Sequence, residues 1–133
     1  MGDRCGVEVL CHENDIKRFE DIGFVKVSWG ERSDNLCRMF EEEANYGAES
    51  ELQTLADNGV VFFGVSGAGD EYPAAVFASD GKRFVSVNSA ADAIEAKPVA
   101  EIDLNGNADL GTLKAIKRYY RTLKAAKKKL GIS

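Results

Sequence analysis

Between Val60 and Asn88 three apolar runs, Val60 to Ser66, Ala74 to Ser79 and Arg83 to Asn88, are separated by turn-forming residues. Short apolar runs with Gly, Asp and Pro between them predict an antiparallel meander. Asp80-Gly81 places a residue tolerant of the left-handed region before one without a Cβ, so the second reversal is tight. The first connection, from Gly67 to Pro73, holds few apolar side chains. It is a candidate working loop. Val61, Phe63 and Val65 alternate with Val60 and Phe62, so both faces of the first strand are apolar. Such a strand belongs inside a sheet, the alternative being a Phe62 presented at a binding surface.

Upstream, Val7 to Leu10 predicts a first strand, and Asn14 stands where it would cap a helix with Ile16, Phe19 and Ile22 on one side. Gly23 ends that helix, and Phe24, Val25 and Val27 lead through a second strand to Trp29. Ser33 or Asp34 is read as opening another helix, with Leu36, Met39 and Phe40 on its buried stripe. Glu41, Glu42 and Glu43 would crowd its later half, against the helix dipole. Ser50 with Gln53 predicts a capping box for a short helix through Asp57, and Asn58-Gly59 ends it. Downstream of the meander, Ser89 with Asp92 predicts a second box and one or two helical turns before Lys97-Pro98. Val99 to Leu104 alternates and predicts a last strand. The final helix, from about Asp109 to Leu130, would be the longest, with Leu113, Ile116, Tyr120, Leu123 and Leu130 as its docking stripe. These elements predict a single α+β domain over residues 1–133. Its core is a mainly antiparallel five- or six-stranded sheet with helices packed on one face and a long C-terminal helix.

Charge changes the picture more than composition does. The net charge is −5, yet residues 110–133 carry eight bases and no acid, leaving −13 on residues 1–109. The chain is an acidic body with a basic last helix. No run approaches the roughly 18 to 20 apolar residues that cross a bilayer, and Met1-Gly2-Asp3-Arg4 opens no leader. A cytoplasmic protein without membrane association is expected. Gly2 would suit myristoylation only with Ser or Thr at position 6, which is Gly6. Cys5, Cys11 and Cys37 are an odd set without paired spacing, which favours a reducing compartment. Cys11 and Cys37 read as small core residues.

No catalytic set is complete. Gly64-Val65-Ser66-Gly67-Ala68 approaches a nucleophile elbow, but Ala68 stands where Gly is needed, a Pro-bearing strand follows, and His12 is the sole histidine. The same glycines lack the Gly-Lys-Ser/Thr of a phosphate loop. Asp103, Asn105, Asn107 and Asp109 fall at the alternate positions of a calcium loop, with Leu110 at the eighth. Ala108 replaces the required Gly, and Lys114 the closing Glu, so a polar turn and helix cap is preferred. Cys5, Cys11 and His12 do not have zinc spacing. Neither metal nor cofactor is expected.

Gly69-Asp70-Glu71-Tyr72, set between two strands, resembles a Gly-Asp-x-Tyr-like element of the SUKH immunity-protein family. The resemblance covers the meander alone and implies protein binding. With no catalytic set, the expected function is a small non-catalytic binding module engaging a protein partner, of the adaptor, inhibitor or immunity-like kind. Trp29, Tyr46, Asp70, Glu71 and Tyr72 are its candidate contacts, because aromatic side chains anchor interfaces. The alternative is a nucleic-acid-associated protein using Lys117, Arg118, Arg121, Lys124 and Lys128 on the last helix. Against it stand the acidic body and the dipole, which favours lysines in a last turn anyway.

Overall fold

Apolar residues on alternate faces of successive strands require a cover on each face, and the fold supplies two. The computed structural model describes residues 4–27, 35–45, 48–67, 73–91, 93–94 and 96–132. Six strands, β1 (Arg4–His12), β2 (Val25–Val27), β3 (Leu36–Asn45), β4 (Val61–Ser66), β5 (Ala75–Asp80) and β6 (Phe84–Asn88), form one antiparallel sheet. Their order is β2-β3-β1-β4-β5-β6. Three helices accompany them: α1 (Ile16–Glu20), α2 (Glu49–Asp57) and α3 (Leu110–Leu130). The α+β class, the antiparallel sheet and the long C-terminal helix are as the sequence predicts.

One face packs under α1 and α2. Val7, Val9 and Cys11 of β1, Cys37 and Met39 of β3, Phe62 of β4 and Phe77 of β5 join Phe19, Leu52, Leu55 and Ala56 in one core. Phe62 is central and fully buried, edge-on to Phe19 at 5.5 Å and 89° and to Phe77 at 6.0 Å and 69°. Such crossings favour the aromatic quadrupoles. Burial, not presentation, is therefore the role of Phe62. The opposite face holds Phe63, Val65, Val76, Ala78, Val85 and Val87 beneath Tyr119, Leu123 and Leu130 of α3. The β5–β6 reversal is the Asp-Gly turn: Asp80 Oδ1 accepts from the backbone of Lys82 (2.9 Å) and Arg83 (2.8 Å), and Gly81 has φ +91°.

Five expectations are corrected. Residues 36–45 form β3, not a helix: Leu36, Met39 and Phe40 fit a helical stripe, but Cys37 and Met39 are also one strand face. Pairing with β1 decides between these periods, setting Cys37 opposite Cys11 and Met39 opposite Val9. Residues 89–98 hold no helix among the described positions; Ser89 pairs with Pro98, and its hydroxyl donates to the Ala91 carbonyl (2.7 Å). Asp92 lies outside the described residues. Val99 to Leu104 is no strand but has a lone bridge from Ile102 to Ala108, with Ile102 and Leu104 exposed. Neither expected cap operates. Ala48, with φ +57°, precedes α2 and buries its methyl in the core, while His12, not Asn14, caps the turn before α1 by accepting from Asn14 N–H (3.1 Å).

Candidate partner-binding face

In α3 the buried positions are Tyr119, Thr122, Leu123, Ala126 and Leu130. The tyrosine in the core is thus Tyr119, 1% exposed, while Tyr120 is 49% exposed. Asp109 starts the helix by accepting from Thr112 N–H (2.9 Å), and Gly131 ends it in the left-handed region. Leu123 and Leu130 keep their expected places in the seam, while Tyr119 takes the place expected of Tyr120, one residue or about 100° round the helix. Leu113 is partly exposed, and Tyr120 stands on the shoulder of the helix.

Lys117, Arg118, Arg121, Lys124 and Lys128 are all exposed. With Lys114 they make no ion pair among the described residues, whose salt bridges are Lys17–Asp21, Arg18–Asp15 and Arg38–Glu8. Among the described residues these six bases of α3 therefore have no acidic partner. Lys129 is engaged differently: its ammonium donates to the Asp80 carbonyl (2.7 Å). Partial burial disfavours the Asp80 carboxylate, but the N–H groups of Arg83 and Lys82 and the nearby Lys129 and Arg83 charges outweigh it. The carboxyl is held below its ordinary value. Lys127 lies over the Phe63 ring, 5.9 Å from its centre.

Helix α3 covers β4, β5 and β6 and makes few contacts with β1, β2 or β3. On the same face, the other three strands present Leu10, Leu36, Phe40 and Val27, all half-buried, and Val25, 60% exposed. The contrast across the sheet is sharp, since Val7, Val9 and Met39 of the same strands are fully buried on the other side. At the centre of this open half, Arg38 Nε meets Glu8 Oε2 at 2.8 Å, and Phe40 closes over Gly6, where a Cβ would lie 3.2 Å from its ring. Along the flank of α3 runs a cleft of about 770 Å³. Tyr120, Leu123, Gly131 and Ile132 form its apolar wall, and Lys124, Lys127 and Lys128 its rim.

The expected contacts Trp29, Tyr46, Asp70, Glu71 and Tyr72 all lie outside the described residues. The strands leading to them end at two different ends of the sheet. Asn45 and Ser66 precede Tyr46 and Asp70 at the end marked by Arg4 and Val7 of β1. Val27 precedes Trp29 and points toward the other end, beside Arg38. The cleft and the open half-sheet were missed by sequence reasoning. Their signal was present in Leu10, Leu36 and Phe40, which make a second apolar face on β1 and β3.

The catalytic candidates separate. Ser66 is buried and pairs with Val7, whereas His12 is at the far end of β1, five residues or about 17 Å along the strand. Its Nδ1 is occupied by Asn14 N–H. Asp103 Oδ1 accepts from Asn105 N–H (2.9 Å) and Asn107 N–H (3.0 Å), and Asp109 caps α3, so both carboxylates of the calcium-like run serve the local backbone. No cluster of three His, Cys, Asp or Glu side chains suited to a metal occurs among the described residues. Cys11 and Cys37 are buried free thiols, and burial pushes both up, Cys11 strongly. Raised thiol pKa values make poor nucleophiles. No helix among the described residues is long and apolar enough to cross a membrane. No family model, no curated protein and no solved structure matches this chain.

Proposed function

We propose that this chain is a small non-catalytic binding module that engages a protein partner. The observation that carries this reading is accessible apolar surface on the side of the sheet that α3 packs on: Val25 is exposed and Val27 and Phe40 are half-buried on the strands, and α3 itself flanks an apolar cleft. Contiguous exposed apolar surface edged by charge is the mark of an interaction site. Trp29, Tyr46, Asp70, Glu71 and Tyr72 belong to the same proposal as further contacts.

The test is a tagged pull-down from host extract, split into nuclease-treated and untreated halves, with wild type beside Val25→Asp and Tyr120→Asp. The reading expects one protein in stoichiometric amount, resistant to nuclease and lost with either substitution. Capture indifferent to both substitutions would refute this face. A second reading, nucleic-acid association through Lys117, Arg118, Arg121, Lys124 and Lys128, is favoured by their lack of ion-pair partners among the described residues. It expects recovery that disappears with nuclease and affinity that falls steeply with salt.

A further inference from the structure

Helix α3 demonstrates what fits this sheet. It spreads over three strands, with Tyr119, Leu123 and Leu130 meeting Val65, Val76, Ala78, Val85 and Val87. The half that no helix covers among the described residues is also three strands, about 14 Å across at ordinary strand spacing, with Leu10 and Leu36 at the border of the α3 core. One helix, roughly 10 Å in diameter, fills that width beside α3. We infer that the open half-sheet and the adjoining cleft form a slot for a single amphipathic helix of a partner protein, one that carries carboxylates along the flank facing α3. This deepens the protein-binding reading and rests on it.

The floor sets the first requirement. Val25, Val27 and Phe40, with the partly exposed edges of Leu10 and Leu36 that also pack against the core under α3, offer an apolar surface at whose centre Arg38 pairs with Glu8. A nucleic acid would leave such a floor dry and unmatched, whereas an apolar helix stripe covers it. The wall sets the second. Tyr120, Leu123 and Ile132 bound a cleft running from residue 120 to residue 132, about 18 Å of helix or three turns. Above it Lys124 and Lys128 have no ion-pair partner among the described residues. An incoming flank of Glu or Asp supplies those partners, whereas a basic flank is repelled. A second copy of this chain is a poor occupant. Its long helix is cationic and already committed to its own sheet, and the apolar sides of its short helices are buried around Phe19, Leu52 and Leu55.

The probe is a pair of synthetic 18-residue helical peptides with the same leucine stripe, one with glutamates and one with lysines along one flank. Affinity is read by fluorescence anisotropy up to millimolar peptide, and the protein's own oligomeric state by sedimentation. The acidic peptide is expected to bind at least about tenfold more tightly than the basic one, the size of two or three rim ion pairs. Lys124→Glu/Lys128→Glu should invert that order, and Val25→Asp, at an exposed position that leaves the core intact, should weaken the acidic peptide. The inference is overturned by equal affinities, by no binding of the acidic peptide, by an order that survives the charge reversal, by self-association that buries the face, or by binding of a DNA duplex alone. If the pull-down still yields a protein lost with Val25→Asp while the peptides show no preference, the binding reading stands and the acidic helix falls.

Discussion

Tyr119 and Tyr120 are adjacent, chemically identical and 5.4 Å apart between ring centres, yet the fold assigns them different work. Tyr119 is 1% exposed within the core between α3 and the sheet, while Tyr120 is 49% exposed on the cleft wall. Truncating a fully buried aromatic costs about 3–5 kcal/mol. With an unfolding entropy near 2.1 cal/mol/K per residue, each kcal/mol moves the melting temperature of a chain this size by about 4 °C. Tyr119→Ala should thus lower it by roughly 11–18 °C, a large share of the 5–15 kcal/mol that holds a typical domain together. Tyr120→Ala gives up a partly wet ring and gains helix propensity, so its cost should be about 1 kcal/mol, or about 4 °C. Urea unfolding followed by circular dichroism measures both, compared at a common m-value. If Tyr120→Ala cost as much as Tyr119→Ala, the seam of α3 would be placed one residue wrongly, and the cleft would be part of the core.

Thr122 is 1% exposed, and its hydroxyl has no hydrogen-bond partner among the described residues, so Thr122→Val should raise stability by about 1 kcal/mol. Thr122→Ser, which keeps the hydroxyl and loses the methyl, should lower it; a destabilised Val variant in thermal melts would show that the hydroxyl is satisfied. At Gly64 an added Cβ would fall on the Glu8 carbonyl oxygen and lie 2.9 Å from Val9 Cα. Gly64→Ala must push β1 and β4 apart and should cost about 1–3 kcal/mol in urea unfolding; a neutral result would contradict the close approach of these strands. Burial first, then Cys37 and Asp15, raise the Cys11 thiol above its unfolded value, so the folded state holds that proton more tightly. The associated stability is complete below the unfolded thiol pKa, near 8.5. It is lost as pH rises from there toward the folded pKa, by up to about 1.4 kcal/mol per pH unit. Urea midpoints from pH 7 to 10.5 should fall above pH 9 in wild type and less steeply in Cys11→Ala; parallel profiles would sink the argument.

The elements legible in the sequence are those whose signals are local. The meander could be read because Asp80-Gly81 supplies its own turn chemistry through the Asp80 carboxylate and the left-handed Gly81. The last helix could be read because Asp109 and Gly131 mark its ends. Where the outcome depended on a distant partner, the reading failed. Residues 36 to 40 fit both a helix and a strand, and glutamates after them are good helix formers; β1 settles the matter by pairing along its length. Ser50 and Gln53 spell a capping box, but the chain enters α2 two residues earlier, because the Ala48 methyl is drawn into the core with Leu52 and Leu55. The last-helix stripe went wrong by one residue because Tyr119 and Tyr120 offer the same ring at neighbouring angles. Only the sheet beneath distinguishes them.

The open face follows from counting faces against covers. On β4, apolar side chains point both ways, and both are covered: Phe62 by α1 and α2, Phe63 and Val65 by α3. On β1 and β3 the same alternation occurs, Val9, Cys37 and Met39 one way, Leu10, Leu36 and Phe40 the other. Here α1 and α2 cover the first set, while of the second only Leu10 and Leu36 reach the edge of the core beneath α3, and Phe40 lies outside it. Among the described residues α3 is the one helix on that face, and α1 and α2 already have their apolar sides inside the other core. The exposed bases of α3 point in the same direction, since Lys124 and Lys128 have no ion-pair partner among the described residues of a chain whose first 109 residues carry −13. A strand pair with apolar side chains on both faces, bordered by lysines that have no ion-pair partner among the described residues, is a surface whose apolar and charged requirements are met together by an acidic amphipathic helix from outside the chain.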